Sequence, residues 1–584
     1  MPIPFDRFGA APIKRAAVLA LAAVGAAASV AWWTAGAGPV AVVDAPAERL
    51  PCVSYTPFRT PGQSPLVTGA RASVVQMDAD LAALARLTRC VRTYSVDEGL
   101  DEVPRLARKH GLRVLLGIWI GRDAAENERE IANALEVLKR HGDVIDGVIV
   151  GNEVLLRREQ SVARLRAYIE RVRAATATPV TYADVWEFWL RNAELAGAVS
   201  FVTVHMLPYW EDDPQPIGRA VDHVLRVHER VRAAFPGKAV LIGEVGWPSE
   251  GRRRENAVPS LTNQARFVRE FADAAARHGM RYNVIEAFDQ PWKRWLEGTV
   301  GGTWGLLDAD ARPKFPLQGP VPPARDAASG MLAMALGAVG LFAIGIVRAP
   351  RVRLRGGLFL VLAGSPIGTA ILAQTHAVQI ACRNAAECSI GAGFSVLGLV
   401  AAMLCAVAIA RRLDGGNAVV PAPVVEIARW LKTDASVWST PERVLGALRF
   451  ALLFGAGFVA LGLAFDPRYR GFPFAAFAAP AAGFAALAWL SEPAARAASG
   501  GREERVLAAV LAACAPVIVW RETLANVDAL AWAGLCLLLA ASAGLPVARA
   551  RERDQPEQEC DRAGLDRVQH ESSHPETNRR ERQT

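Results

Sequence analysis

Residues 240–249 read Val-Leu-Ile-Gly-Glu-Val-Gly-Trp-Pro-Ser. The run 240–243 has the length and apolar content of a strand buried on both faces, and it ends at a Gly followed by a carboxylate. Glu244, Trp247 and Ser249 then follow within six residues. The same order stands upstream, where the run 147–150 leads into Gly151, Asn152 and Glu153. Two buried strands that each deliver a carboxylate at the C-terminal end predict a parallel sheet with one functional face.

Working outward from those two runs, six more of the same kind stand at 52–55, 90–94, 113–118, 180–183, 201–205 and 283–287. Helix-length amphipathic segments at 78–87, 101–110, 127–140, 162–175, 217–234 and 263–278 lie between them. Eight strand-and-helix repeats predict an α/β fold, a TIM (β/α)8 barrel over 44–316. Residues just after each strand are then the site candidates. They are Tyr55, Arg59 and Gln63, then Tyr94, Trp119, Asn152, Glu153, Asp184 and Trp186, followed by His205, Tyr209, Trp210, Glu244 and Trp247. The eighth run ends in Glu286-Ala-Phe-Asp289-Gln290-Pro-Trp-Lys293.

Sugar rings present hydroxyls to carboxylates, amides and lysines, and apolar C–H faces to aromatic rings. Acids interleaved with Trp and Tyr suit them. Glycine-rich phosphate loops are missing at the strand ends, and no close His/Cys cluster suggests zinc, so no cofactor and no metal are expected. A lone strand-end Glu is more often a solvated or paired surface residue, and each Trp is as readily a packing residue.

Four segments in order remove that ambiguity for Glu153 and Glu244. They are Ser54-Tyr-Thr-Pro-Phe-Arg59 with Gly62-Gln-Ser-Pro65, Val91-Arg-Thr-Tyr94, Val150-Gly-Asn-Glu-Val154, and Ile242-Gly-Glu-Val-Gly-Trp-Pro-Ser249. At these residues, over about 51–316, the chain resembles glycoside hydrolase family 17, the β-1,3-glucanase family, in a bacterial membrane-attached form. The resemblance implies an acid/base at Glu153, a nucleophile at Glu244 and a β-glucan substrate. Residue chemistry agrees, because a retaining glycosidase needs one carboxyl to protonate the leaving oxygen and one to attack. Two close carboxylates are expected to raise each other's proton affinity and so keep Glu153 protonated. Substrate contacts are expected from Asn152, at the sugar 2-hydroxyl, and from Tyr55, Tyr94, Tyr209, Trp210, Trp247, Glu286, Asp289 and Lys293. Tyr209 is also the expected hydrogen-bond donor to Glu244, with His205 a network member, and Gln290 stands where the fungal form of the family carries an acid.

Hydrophobic residues make up 52% of the 584, and the charged ones cluster before 316 and in short later islands. A net charge of +8 suggests nucleic acid only until its placement is read. Arg348, Arg351, Arg353 and Arg355 fall in one connection, Arg411, Arg412 and Lys432 in a second, and Arg496, Arg502 and Arg505 in a third. Seven apolar segments, beginning near 328, 356, 389, 448, 471, 505 and 527, alternate so that these arginines share one side. No nucleic-acid partner is expected, and the bilayer is.

The segment 1–36 reads as a membrane anchor or uncleaved signal, with cleavage near Ala37 as the alternative. A linker at 317–327 and a membrane domain of about seven helices at 328–549 follow, with a disordered charged cytoplasmic tail at 550–584. The chain is thus expected in an inner membrane with its barrel periplasmic, acting on envelope β-glucan and, as a further partner, meeting a glucan synthase or exporter. A non-catalytic glucan-binding or export protein is the alternative. Cys52 with Cys90, and Cys382 with Cys388, are the candidate disulfides on the exported side, against buried free thiols.

Overall fold

The structure, a computed structural model, describes residues 10–60, 62–323, 325–348, 352–432 and 440–543. Eight parallel strands close into a barrel in sequence order: β1 Val53–Ser54, β2 Cys90–Arg92, β3 Arg113–Ile118, β4 Ile145–Asn152, β5 Val180–Val185, β6 Val202–His205, β7 Val240–Val245 and β8 Arg281–Val284. β1 pairs with β8 at Val53 and Val284, which completes the ring. The eighth strand lies earlier than its expected 283–287, ending at Val284, so Glu286 belongs to the turn that follows it.

The barrel helices follow the apolar periodicity, and two of them, α5 Val162–Ala175 and α7 Ile217–Ala234, match their expected bounds to the residue. The others are α2 Val74–Leu84, α3 Val103–Lys109, α4 Ala124–His141, α6 Trp186–Arg191, α8 Leu261–Arg277 and α9 Arg294–Gly301. Side-chain caps define several starts: Ser161 Oγ accepts from the amide of Arg164, and Asp123 Oδ1 from those of Ala125 and Glu126.

The expected linker does not run free over its whole length. Leu317 and Val321 are buried in the barrel core, and Val321 pairs antiparallel with Val40, so chain entry and exit lie side by side. Fully buried Arg269 on α8 holds this seam, donating to the carbonyls of Pro316 and Gly319. Such a cation stays buried only because its donors are met.

Helices α1 Ala10–Thr34, α10 Ala327–Arg348, α11 Leu354–Ala381, α12 Ala385–Leu413 and α14 Pro441–Phe465 are long and apolar enough to cross a membrane. Among the described residues, α15 Phe474–Leu490 and α18 Val527–Ser542 are apolar but shorter, and α17 Arg502–Glu522 carries charges at both ends. Short helices α13 Val424–Trp430 and α16 Pro493–Ser499 lie in the connections, where the apolar pattern gave no helix. Trp33 of α1 packs on Gly330 of α10 and donates to Thr369 of α11, which seats the anchor among the other helices. The expected tail, 550–584, lies outside the described residues.

Disulfides join Cys52 to Cys90 and Cys382 to Cys388, while Cys405, Cys514 and Cys536 are buried free thiols. Cys52–Cys90 ties the first two barrel strands across a separation of 38 residues. A loop of that size lowers unfolded-state entropy by an amount worth about 4 kcal/mol, less any native strain. Cys52→Ser should lower barrel stability by about 2–4 kcal/mol. Thermal unfolding with and without reductant checks this: reduced wild type should match the reduced variant, and reduction should lower the wild-type midpoint more than the variant's, which keeps only Cys382–Cys388.

Candidate active site

Glu153 and Glu244 come together at the barrel mouth through two local devices. The last residues of β4 include Gly151 at φ 84°, where a Cβ would approach Val154 Cγ2 to 2.7 Å, and Glu153, just beyond the strand, adopts φ 54°. A left-handed Glu is costly and persists where its surroundings impose it, here with its amide donating to the Ala183 carbonyl of β5. Glu244 sits within β7, opposite His205 of β6, and its side chain is 6% exposed. One carboxyl oxygen of Glu153, one of Glu244 and a ring nitrogen of His205 lie within 4.8 Å of one another.

Arg92 of β2 organises this cluster from below. One guanidinium nitrogen donates to the Gly243 carbonyl at 2.7 Å and to Glu244 Oε1 at 3.3 Å, and lies 3.4 Å from His205 Nε2. The other donates to Asn152 Oδ1 at 2.6 Å. At an effective dielectric of about 20, a guanidinium at 3.3 Å attracts Glu244 by about 5 kcal/mol. The cation therefore opposes the repulsion of the facing carboxylate in this buried site. A metal ion would use the Glu153, His205 and Glu244 ligand atoms, but Arg92 already contacts two of the three residues and opposes a second cation.

His205 Nδ1 lies 2.9 Å from Glu153 Oε1, and its Nε2 lies 3.6 Å from Glu244 Oε1. Burial pushes Glu153 up, but the His205 hydrogen bond and charge, followed by Arg157 and Arg92, outweigh it and hold the carboxyl below its ordinary value. The expectation of a raised Glu153 is thus corrected, because it counted the facing carboxylate and not the three cations. The His205 Nδ1–Glu153 Oε1 hydrogen bond is the path by which a proton can reach or leave this carboxyl.

The donor to Glu244 is Tyr94, not Tyr209. Tyr94 Oη lies 2.8 Å from Glu244 Oε1 and 2.9 Å from Ser54 Oγ, which in turn accepts from Asn283 Nδ2 at 2.8 Å. With one phenolic proton given to the carboxylate, the Ser54 hydroxyl donates to Tyr94, so strands β8, β1 and β2 form one relay to Glu244. Tyr209 is buried under its loop and donates to the Arg252 carbonyl at 2.6 Å.

Other expected contacts divide by burial. Tyr55 is fully buried and donates to Asp80, so it packs the barrel and offers no sugar contact. Trp247 is fully buried against Phe267 and donates to the Val258 carbonyl, which corrects its assignment as a stacking surface. Asp289 accepts from Lys314 and from the Gly305 amide, which makes it a brace for the turn after β8. Glu286 is buried with Oε2 on Lys293 Nζ at 2.7 Å and Oε1 without a partner among the described residues. Burial pushes Glu286 up to about 7 against the pull of Lys293. Trp210 is half-buried and stacked on Trp304 with centroids 6.3 Å apart.

Sequence reasoning passed over Arg92, Ser54 and Asn283. Arg92 and Asn283 lie inside expected strands as polar residues in apolar runs, and that was the available signal.

Residues 52–305 match the family described as the BtgE/BtgC glycoside hydrolase domain. The glucan endo-1,3-beta-glucosidase btgC of Emericella nidulans is 27% identical over 291 residues, covering 44% of this chain and 44% of that protein. The glucan 1,3-beta-glucosidase of Saccharomyces cerevisiae is 24% identical over 271 residues, covering 43% of this chain and 87% of that one. Among solved structures, an active-site mutant of Rhizomucor miehei beta-1,3-glucanosyltransferase in complex with laminaritriose is 25% identical, covers 45% of this chain and 95% of that one, and has a TM-score of 0.41. The barrel is thus similar to a glycoside hydrolase domain, and the chain spans less than half the length of the Emericella relative.

His205→Asn removes the partner that most lowers Glu153, so Glu153 should rise. Because a general acid works while protonated, the alkaline limb of the kcat/KM–pH profile should move to higher pH. Tyr94→Phe should leave that limb in place and lower kcat about tenfold to a hundredfold by removing the donor to Glu244. pH-rate profiles of the two variants beside wild type check both.

Proposed function

We propose that this chain is a retaining glycosidase or transglycosidase of β-1,3-glucan, with Glu244 as nucleophile and Glu153 as acid/base. The observation that carries the reading is the approach of the two carboxyl groups to within 4.8 Å. Retaining enzymes hold their pair about 5–5.5 Å apart, whereas inverting enzymes leave about 6.5–9.5 Å for a water. The glucan named for the matched relatives supports the substrate class.

The residues supply each step. Glu244, which accepts from Arg92 and Tyr94, attacks the anomeric carbon as the glycosidic oxygen leaves with the proton of the Glu153–His205 pair. The sugar is then esterified to Glu244. Glu153, now a base, takes a proton from the incoming hydroxyl, which displaces the ester at the same carbon with net retention. Water as acceptor gives hydrolysis, and a sugar hydroxyl gives transfer. Glu286 and Lys293 offer a carboxyl oxygen and an ammonium to sugar hydroxyls beside Glu244.

The apolar helices support a membrane location for the whole chain. In this reading eight segments cross an inner membrane, with the barrel periplasmic and the arginine-rich connections and tail cytoplasmic. Envelope β-glucan is the material acted on.

Full-length protein in detergent, given laminari-oligosaccharides, should make shorter products and, with transfer, products longer than the substrate. Glu244→Ala should lower kcat by about a thousandfold or more. Equal product from both proteins would sink the mechanism.

A further inference from the structure

The catalytic face of the barrel is not open all round. Three connections of the helical region reach it: the α11–α12 connection, the α14–α15 connection 466–473, and the α17–α18 connection. Arg383 lies over the Trp295 ring at 4.1 Å, and Arg252, beyond β7, forms a buried ion pair with Glu522 and lies over Phe472. Asn526 Nδ2 donates to the Arg253 carbonyl and to Glu522. A buried pair with supporting hydrogen bonds sets one docking geometry, since breaking it leaves an uncompensated charge.

The α14–α15 connection packs on α9 and on Trp210. A Cβ on Gly298 would lie 2.3 Å from the Tyr469 carbonyl oxygen, so this glycine, at φ 69°, is what admits the connection. Gly298 adjoins Glu297 on α9, the same segment that carries Lys293. Glu297 is pushed up by burial and also by the charges of Glu153 and Glu244, with Lys293 pulling it down. The Tyr469 ring meets Trp210 edge-on at 6.0 Å, and Trp210 stacks on Trp304. Tyr469 remains 41% exposed, unlike the buried Tyr55, Tyr209 and Trp247. The Arg468 guanidinium lies 5.5 Å from the Tyr469 ring centroid, and an exposed aromatic ring is what a pyranose face stacks on.

We infer that the helical region completes the sugar cleft, with Tyr469 as a binding residue that a β-linked gluco-oligosaccharide stacks on beyond the sugar held at Glu244. The inference rests on the proposed function for its ligand class. It makes the membrane-side helices a determinant of chain-length preference as well as an anchor. Gly298 and the Arg252–Glu522 pair hold the wall in register with the catalytic groups.

The test uses the full chain in nanodiscs with laminaritriose and laminarihexaose. A stacking ring is worth about 0.5–1.5 kcal/mol, so Tyr469→Ala should raise KM for laminarihexaose about threefold to tenfold. The rise for laminaritriose should be smaller, kcat should change little beside KM, and Tyr469→Phe should restore the wild-type value. A merely structural role would lower kcat for both sugars alike and shift the unfolding midpoint. Equal KM ratios for wild type and Tyr469→Ala overturn the inference. Wild type without turnover would sink the proposed function instead. The cleft is then judged by calorimetric binding of laminarihexaose to Glu244→Gln with and without Tyr469→Ala, where equal affinities, or no binding to either, overturn it.

Discussion

The Arg92 guanidinium is the contact on which the site depends. It rises from β2 into the barrel interior and reaches groups on β4, β6 and β7: Asn152, His205, Gly243 and Glu244. Isolated, such a cation would be costly at 1% exposure. Surrounded by a carboxylate, an amide oxygen and a peptide carbonyl it is satisfied, and it offsets the repulsion of two acids less than 5 Å apart. Tyr94 lies beneath it in cation–π contact, with centroid 4.6 Å away, and passes a hydrogen bond to Glu244. The carboxylate pair and His205 therefore share one electrostatic partner.

From that centre the constraints extend outward in two directions. Away from the mouth, the Cys52–Cys90 disulfide ties β1 to β2, and Arg269 fastens the entry and exit of the chain. Across the mouth, the turn after β8 is pinned by Asp289 on Lys314 and by Glu286 on Lys293 before it meets the helical region. Anchoring at both barrel termini by α1 and α10, with the Arg325 guanidinium 3.6 Å over the Trp32 ring, is consistent with the docking seen at the mouth. A barrel held at its ends and its face has little freedom to turn, so substrate must enter from the side left uncovered.

Much of this was legible in the sequence. The β-branched runs fix strands because a parallel barrel strand is apolar on both faces, and the amphipathic segments fix α5 and α7 to the residue. Of the apolar helices, α10 and α18 start within a residue of expectation, whereas α14 starts at Pro441, ahead of the expected 448. Side-chain direction at the strand ends was not. Register shifts between Ile149 and Asn152 and between Ile242 and Val245 break the period-two alternation where parity would have been needed. Trp247 and Tyr209 turn into the core, although their positions after strands suggested the cleft. Arg92 was hidden for the converse reason, since a charge in an apolar run reads as a surface interruption. The docking of 466–473 on α9 joins residues about 170 apart, and no local periodicity encodes it.

The central claim is that Glu244 carries the sugar covalently. A 2-deoxy-2-fluoro-β-laminaribiosyl fluoride tests it directly, because fluorine at C2 slows both steps while the good leaving group lets the first proceed, so the ester accumulates. Peptide mapping by mass spectrometry should place one fluorosugar on the peptide containing Glu244, and Glu244→Gln should take up none. A label on Glu153, or an unlabelled enzyme that nevertheless turns over laminari-oligosaccharides, would contradict the account.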